Sequence, residues 1–449
     1  MQDMLLVIDW GSVGIKTLQF ILSFSILVTF HELGHYLTAR WFKCRVDKFY
    51  LFFNPWFSLW KKKIGETEYG IGWVPFGGYV KIAGMIDESM DKAQLNQPPQ
   101  PYEFRSKPAW QRLIIMVAGV VVNVILAIVI FIGITWKWGD EYLPSKNLKY
   151  GVHADSLGAK IGIRNGDNII SIDNKPVENF GALAIDVMLN AKTLQVIRDG
   201  KKIELAVPDT FTRELNKNKL SGFVDVRIPV IVDTVLPSAN FVQGKLQEDD
   251  RLIAFNNHPF EYYDEFNDLK KGMKNVQVPI KVLRGNDTVD VAVKLNNDGM
   301  VGFGTKNAAE LFGTVTHTYS FTESIPEGTK KCFATLSRYL TGLKQLFSGK
   351  VNPNDSLGSV ISIGNTFPGF WDWQRFWSLT AIFSIILAFM NILPIPALDG
   401  GHALFTLTEM ATGRKPSDKF MEYAQMAGMI LLLGLMAYAL GLDFLRIFK

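Results

Sequence analysis

The chain has 449 residues, 48% hydrophobic and only 20% charged, and its 47 basic against 43 acidic residues leave a net charge of +4. That balance excludes a nucleic-acid-binding chain, the composition excludes disorder and low-complexity architecture, and two cysteines exclude a disulfide scaffold or a cysteine-based metal cluster. A mean hydropathy of +0.12 is high for a soluble protein, so the placement of the apolar residues decides the class.

They fall in blocks. The first runs from Lys16 to Arg40 and is interrupted only by His31, Glu32 and His35. It is preceded by Asp3 and Asp9, without an early basic cluster, and is followed by no small-residue cleavage site, which predicts a retained span rather than a signal peptide. Charge-free runs follow at 113–136, 376–398 and 423–442. Each can cross a bilayer, which takes about 20 residues. Lys and Arg crowd behind span one, at Arg40, Lys43, Arg45, Lys48 and Lys61 to Lys63, so 41–111 is expected on the cytoplasmic side. The predicted order is then span one within 1–40, a cytoplasmic segment 41–111, span two over 112–136, an outer region 137–375, span three over 376–402, a cytoplasmic loop 403–422 and span four within 423–449. Cys44 and Cys332 fall on opposite sides and cannot pair.

Span one carries His31-Glu32-Leu33-Gly34-His35. On a helix, positions i and i+4 share a face, so the two imidazoles can hold one Zn²⁺, and the Glu between them can accept a proton from water. Ionisable groups in an apolar span cost about 2.5–3.5 kcal/mol each on insertion scales, which favours a chemical role over incidental placement. Catalytic zinc takes three protein ligands. His153, His258 and His317 lie in the outer region, which leaves Asp399 as the expected third ligand and His402 as its rival. Both follow Asn391-Ile-Leu-Pro-Ile-Pro-Ala-Leu, where two prolines and the glycines after Asp399 break the helix. Broken backbone at membrane depth must be buried in protein or line a wet cavity.

The outer region contains a repeat. Asn165-Gly-Asp-Asn-Ile-Ile-Ser-Ile-Asp-Asn-Lys-Pro-Val177 aligns with Glu248-Asp-Asp-Arg-Leu-Ile-Ala-Phe-Asn-Asn-His-Pro-Phe260, which pairs Asp167 with Asp250 and Pro176 with Pro259. Arg198-Asp-Gly and Arg284-Gly-Asn then precede similar apolar runs. Two tandem β-rich domains are expected, at 137–223 and 224–308. The pattern resembles bacterial PDZ domains, which take a peptide as an added strand; a spacer or size filter that binds nothing is the alternative. Residues 309–375 are read as a linker with an amphipathic helix at 330–347.

The paired motifs, H-E-x-x-H in span one and N-x-x-P-x-P-x-L-D-G-G in span three, resemble the site-2 protease family of intramembrane zinc metalloproteases. Four spans with two PDZ-like domains between the second and third point to its regulator of sigma-E protease (RseP) branch. The resemblance implies an α-helical multi-span membrane protein with two tandem PDZ-like α+β domains in the periplasm, in the bacterial inner membrane with its site toward the cytoplasm. It implies one Zn²⁺ per chain on His31, His35 and Asp399, with Glu32 as catalytic base. Asn391 would bind unwound substrate backbone, as would Phe76, Gly77, Gly78 and Tyr79 in a membrane-dipping β-hairpin. The implied substrate is a single-span anti-sigma factor trimmed beforehand, with remnant signal peptides a second class; the partners are membrane lipid and such substrates, and no nucleic acid. The chain departs from the family's G-P-x-x-N in span two, where it has Gly119-Val-Val-Val-Asn123, and from its G-P-x-S-I, where it has Gly358-Ser-Val-Ile-Ser-Ile363. The competing readings are a non-proteolytic membrane scaffold that binds helices through the PDZ pair, and a zinc transporter.

Overall fold

The structure, a computed structural model, describes residues 9–85, 98–218, 221–237 and 239–447. Among the described residues four helices are long and apolar enough to cross a membrane. They are α1 (Trp10–Trp41), α2 (Ala109–Trp138), α4 (Trp373–Ile392) and α6 (Asp418–Ile447), with α3 (Phe321–Phe347) and α5 (Asp399–Thr412) between them. Two compact units result. One comprises 1–139, 318–341 and 357–449; the other comprises 140–317 and 342–356.

The first unit is built on α2. Spans without water must satisfy their backbone polar groups internally, and several polar side chains here bond from one span to another and dock them together. Ser23 and Thr380 share a hydroxyl bond of 2.9 Å between α1 and α4, and Ser384 Oγ donates to the main-chain carbonyl of Asn123 at 2.7 Å. Such bonds are worth about 0.6–2 kcal/mol each. Gln19, fully buried, donates to the carbonyls of Pro368 and Phe370 and so fastens the turn that enters α4. Asp443, near the end of α6, accepts from the backbone N–H and hydroxyl of both Ser359 and Ser362. Those serines belong to the Gly358–Ile363 departure, which here forms a short helix, Val360–Gly364.

The segment after α1, expected as a hairpin, is a four-stranded sheet in the order β2-β3-β1-β4: β1 (Val46–Phe53), β2 (Trp60–Ile64), β3 (Thr67–Ile71) and β4 (Val74–Ile82). β1 runs parallel to β3 and antiparallel to β4, with Tyr50 opposite Tyr79 and Leu51 opposite Gly78. Among the described strands β4 is therefore outermost, and it lies against α1. Gly78 makes this possible, since a Cβ there would sit 2.8 Å from Val28 Cγ1 and 2.7 Å from the Tyr50 carbonyl.

The second unit holds two separate apolar cores, one around Leu194, Val196 and Leu215 and the other around Leu252, Phe255 and Val282. Each has a sheet in which a strand, a two-residue strand, an eight-residue helix and a hairpin follow in sequence. In the first these are Asn168–Ile172, Lys175–Pro176, Leu183–Asn190 and Thr193–Arg198 with Lys201–Ala206. In the second they are Arg251–Phe255, His258–Pro259, Tyr263–Lys270 and Gln277–Arg284 with Asp287–Lys294. The aligned residues make the same contact. Arg198 forks onto both oxygens of Asp167 at 2.8 and 2.7 Å, and Arg284 does so on Asp250 at 2.7 and 2.7 Å. Each carboxylate also accepts a backbone N–H three residues earlier, from Arg164 or Gln247. Removing one partner of such a pair strands a buried charge, so Arg198→Met is expected to destabilise the first sheet by about 3–5 kcal/mol. The double variant Asp167→Leu/Arg198→Met should lose less. Limited proteolysis of the sheet under increasing denaturant reads both, and an equal or larger loss in the double variant would show that the pair itself is not the cause.

Candidate active site

H-E-x-x-H lies in the second half of α1, where the helix carries His31 and His35 on one face and buries both. α4 ends at Ile392 and the chain turns through 393–398 before α5 begins at Asp399. The prolines at 394 and 396 end the helix by removing donors, and the glycines at 400 and 401 let the turn close on itself. A Cβ on Gly400 would lie 2.3 Å from the carbonyls of Ile392 and Leu393. The turn delivers Asp399 to the histidines: its Oδ2 is 3.1 Å from His31 Nε2 and 3.2 Å from His35 Nε2, and the two nitrogens are 3.3 Å apart.

Three donor atoms at these spacings fit a metal. Tetrahedral zinc with ligands at about 2.0–2.2 Å separates them by about 3.3–3.5 Å. The chemistry agrees, since two imidazoles and a carboxylate are a common catalytic zinc set. Asp399 Oδ2 is also buried, and although both ring nitrogens lie close, neither makes an aligned hydrogen bond to it, which suits a cation between the three atoms. His402 is not in this group; among the described residues His31, His35 and Asp399 alone form one.

The donors open onto a cavity of about 360 Å³ lined by Glu32, Gly78, Tyr79, Val80, His402 and Gln425, among others. Glu32 is half-buried and packs beside β4, where a Cβ on Gly78 would lie 3.7 Å from its Cγ. Tyr79 stacks on Tyr50 and Phe53 and donates its hydroxyl to Asn54 at 3.0 Å. Gly77 has φ +148°, a conformation glycine favours, but does not line the cavity. Phe76 belongs to β4 by its backbone, and its side chain lies outside the described residues. Asn391 Nδ2 approaches His31 Nε2 at 3.3 Å. A larger cavity of about 830 Å³, between α1, α2 and α5, is lined by aliphatic residues, Trp41 and Thr38 with no titratable group, and offers no chemistry.

A model of peptidase family M50 matches residues 19–435, which takes in both motifs, the whole of α2 and α4 and most of α1 and α6. The chain belongs to this family, the site-2 protease family. It is a zinc metalloprotease. Metalloprotease MmpA of Caulobacter vibrioides is similar, 28% identical with 92% of each chain covered. The regulator of sigma E protease of Haemophilus influenzae is 26% identical over 95% of this chain and 98% of its own. A relative from Neisseria meningitidis serogroup A, with zinc metalloprotease in its name, is 26% identical over 96% of this chain and 99% of its own.

Three residues at the site had no role assigned from the sequence, although Gly119 and Asn123 stand in the span-two motif quoted above. Asn123 of α2, fully buried, meets His31 Nδ1 at 3.2 Å. Gly119, one turn earlier, admits both imidazoles. Gln425 of α6 lines the cavity. The amides had one visible signal: each is a rare polar residue in a charge-free run.

Proposed function

We propose that this protease cuts the transmembrane segment of single-span membrane proteins, with an anti-sigma factor trimmed on its outer side as the main substrate and remnant signal peptides as a second class. The observation that carries the reading is the convergence of His31, His35 and Asp399 beside β4, the outermost described strand of its sheet, on helices of membrane-spanning length and composition. His31, His35 and Asp399 would hold one zinc. When bound, zinc supplies Lewis acidity that polarises a carbonyl and eases proton loss from water.

The chain's own residues supply the rest. A substrate helix hides its peptide bonds in internal hydrogen bonds and must be unwound before it is cut. Each freed backbone group left unpaired in a dry site costs several kcal/mol. The outer edge of β4 offers N–H and C=O groups that pair with an extended strand, and it runs past Glu32. Asn391 adds an amide donor on the cavity side of His31. Glu32 accepts the water's proton and returns it to the leaving amine.

The Lys and Arg bias behind α1 supports a cytoplasmic-facing site in an inner membrane, with 137–375 on the periplasmic side. The two sheet lobes are read as PDZ-like domains that admit trimmed substrates and turn away bulky ones. The purified protein should cleave a trimmed single-span substrate within its span and leave the same substrate with an intact outer domain uncut; a zinc chelator should stop the reaction and added zinc restore it. Equal cleavage of both substrates would refute the filter, and no cleavage of the trimmed one would refute the substrate class.

A further inference from the structure

The inference concerns span two, and it rests on His31, His35 and Asp399 being the zinc ligands. To ligate through Nε2, a neutral imidazole carries its proton on Nδ1, and that N–H needs an acceptor. His35 Nδ1 has one, the main-chain carbonyl of Ile115 at 2.8 Å. His31 Nδ1 faces the carboxamide of Asn123, with Nδ2 at 3.2 Å. In that orientation two N–H donors oppose each other, while Asn123 Oδ1 is buried without a partner in a side chain fully shielded from solvent. The oxygen and nitrogen of an amide have nearly the same shape, so hydrogen bonding decides which end faces a neighbour. A half-turn of the amide brings the orphaned oxygen to His31 and removes the opposed donors.

We infer that Asn123 is a positioning residue of the metal site: its Oδ1 accepts the Nδ1 proton of His31 and so holds that ring in the tautomer that ligates through Nε2. α2 thus orients both imidazoles, one through a backbone carbonyl and one through a side chain. The residue is held from behind, because Ser384 of α4 donates to its carbonyl at 2.7 Å. Losing a hydrogen bond of this kind typically weakens metal binding 10–100-fold.

Two variants of the full-length protein separate the possibilities, each titrated for zinc against a competing chelator. Asn123→Asp keeps an acceptor and has no donor; Asn123→Leu keeps the approximate volume and has neither. Zinc affinity should fall about 10–100-fold in Asn123→Leu and stay within about threefold of the parent, or rise, in Asn123→Asp. Unchanged affinity in Asn123→Leu overturns the inference. A matching loss in both variants also overturns it, because then the donor or the packing of the amide matters and not its oxygen. If the parent protein binds no zinc, the ligand reading itself fails, and that result is separate from any difference between the variants.

Discussion

Glu32→Gln should leave the zinc content of the purified protein unchanged while the cleavage rate falls by about 10²–10⁴-fold, the range a positioned general base contributes. Glutamine has the same length and shape, so it preserves the packing beside Gly78 and the seat of β4 against α1. What it loses is the ability to take a proton. The donor atoms are untouched, because Glu32 is not among the atoms that converge at the Asp399 carboxylate. Zinc analysis together with cleavage of a trimmed single-span substrate checks the expectation. If zinc is lost with activity, Glu32 helps to hold the metal; if cleavage persists, another group is the base.

The motifs were legible because they rest on local geometry. The spacing of His31 and His35 states which helix face they share, and the charge-free runs state which segments lie in hydrocarbon. The helices extend beyond those runs, α2 to Lys137 and Trp138 and α4 back to Trp373, because a helix does not end where its apolar stretch ends. Residues 403–412, read as loop, continue α5 until Gly413 closes it in a left-handed conformation. α3 begins at Phe321 rather than near 330 and passes through Pro326, a residue that argues against helix when seen alone.

The sheet was harder to see than the helices. Every residue of β2, Trp-Lys-Lys-Lys-Ile, is exposed, so no alternation marks it as a strand. Its place is set by pairing with β3, and that of β3 by a parallel ladder to β1. The role of Asn123, a residue the span-two motif had singled out, was illegible for another reason. Its partner lies 92 residues away in sequence, and nothing local says which face of α2 meets α1. That is decided by glycines at the crossing: a Cβ on Gly34 would lie 2.6 Å from the Ala118 carbonyl. Close approach of backbones is what small residues permit between membrane helices.

The same crossing yields the other large expected effect. Gly119→Val should abolish zinc binding and cleavage together. A Cβ at this position would lie 2.5 Å from His35 Nε2 and 2.7 and 2.8 Å from Cε1 and Nδ1 of His31. The rings cannot yield cheaply. His35 is held by the Ile115 carbonyl and His31 is flanked by Asn123, while the α1 backbone behind them is already against Ala118. Overpacking of this kind costs about 1–3 kcal/mol, which the fold can absorb. The donor set cannot, since a displacement of about 1 Å takes Nε2 outside the narrow ligand distances zinc accepts. Gly133 is the control on the same helix, because a side chain there meets nothing within 4 Å; Gly133→Val should retain both zinc and activity. Zinc analysis of the two variants beside the parent decides the matter. Metal retained by Gly119→Val would mean that the imidazoles can retreat without losing the ion, and that the close contact at Gly119 serves packing rather than the site.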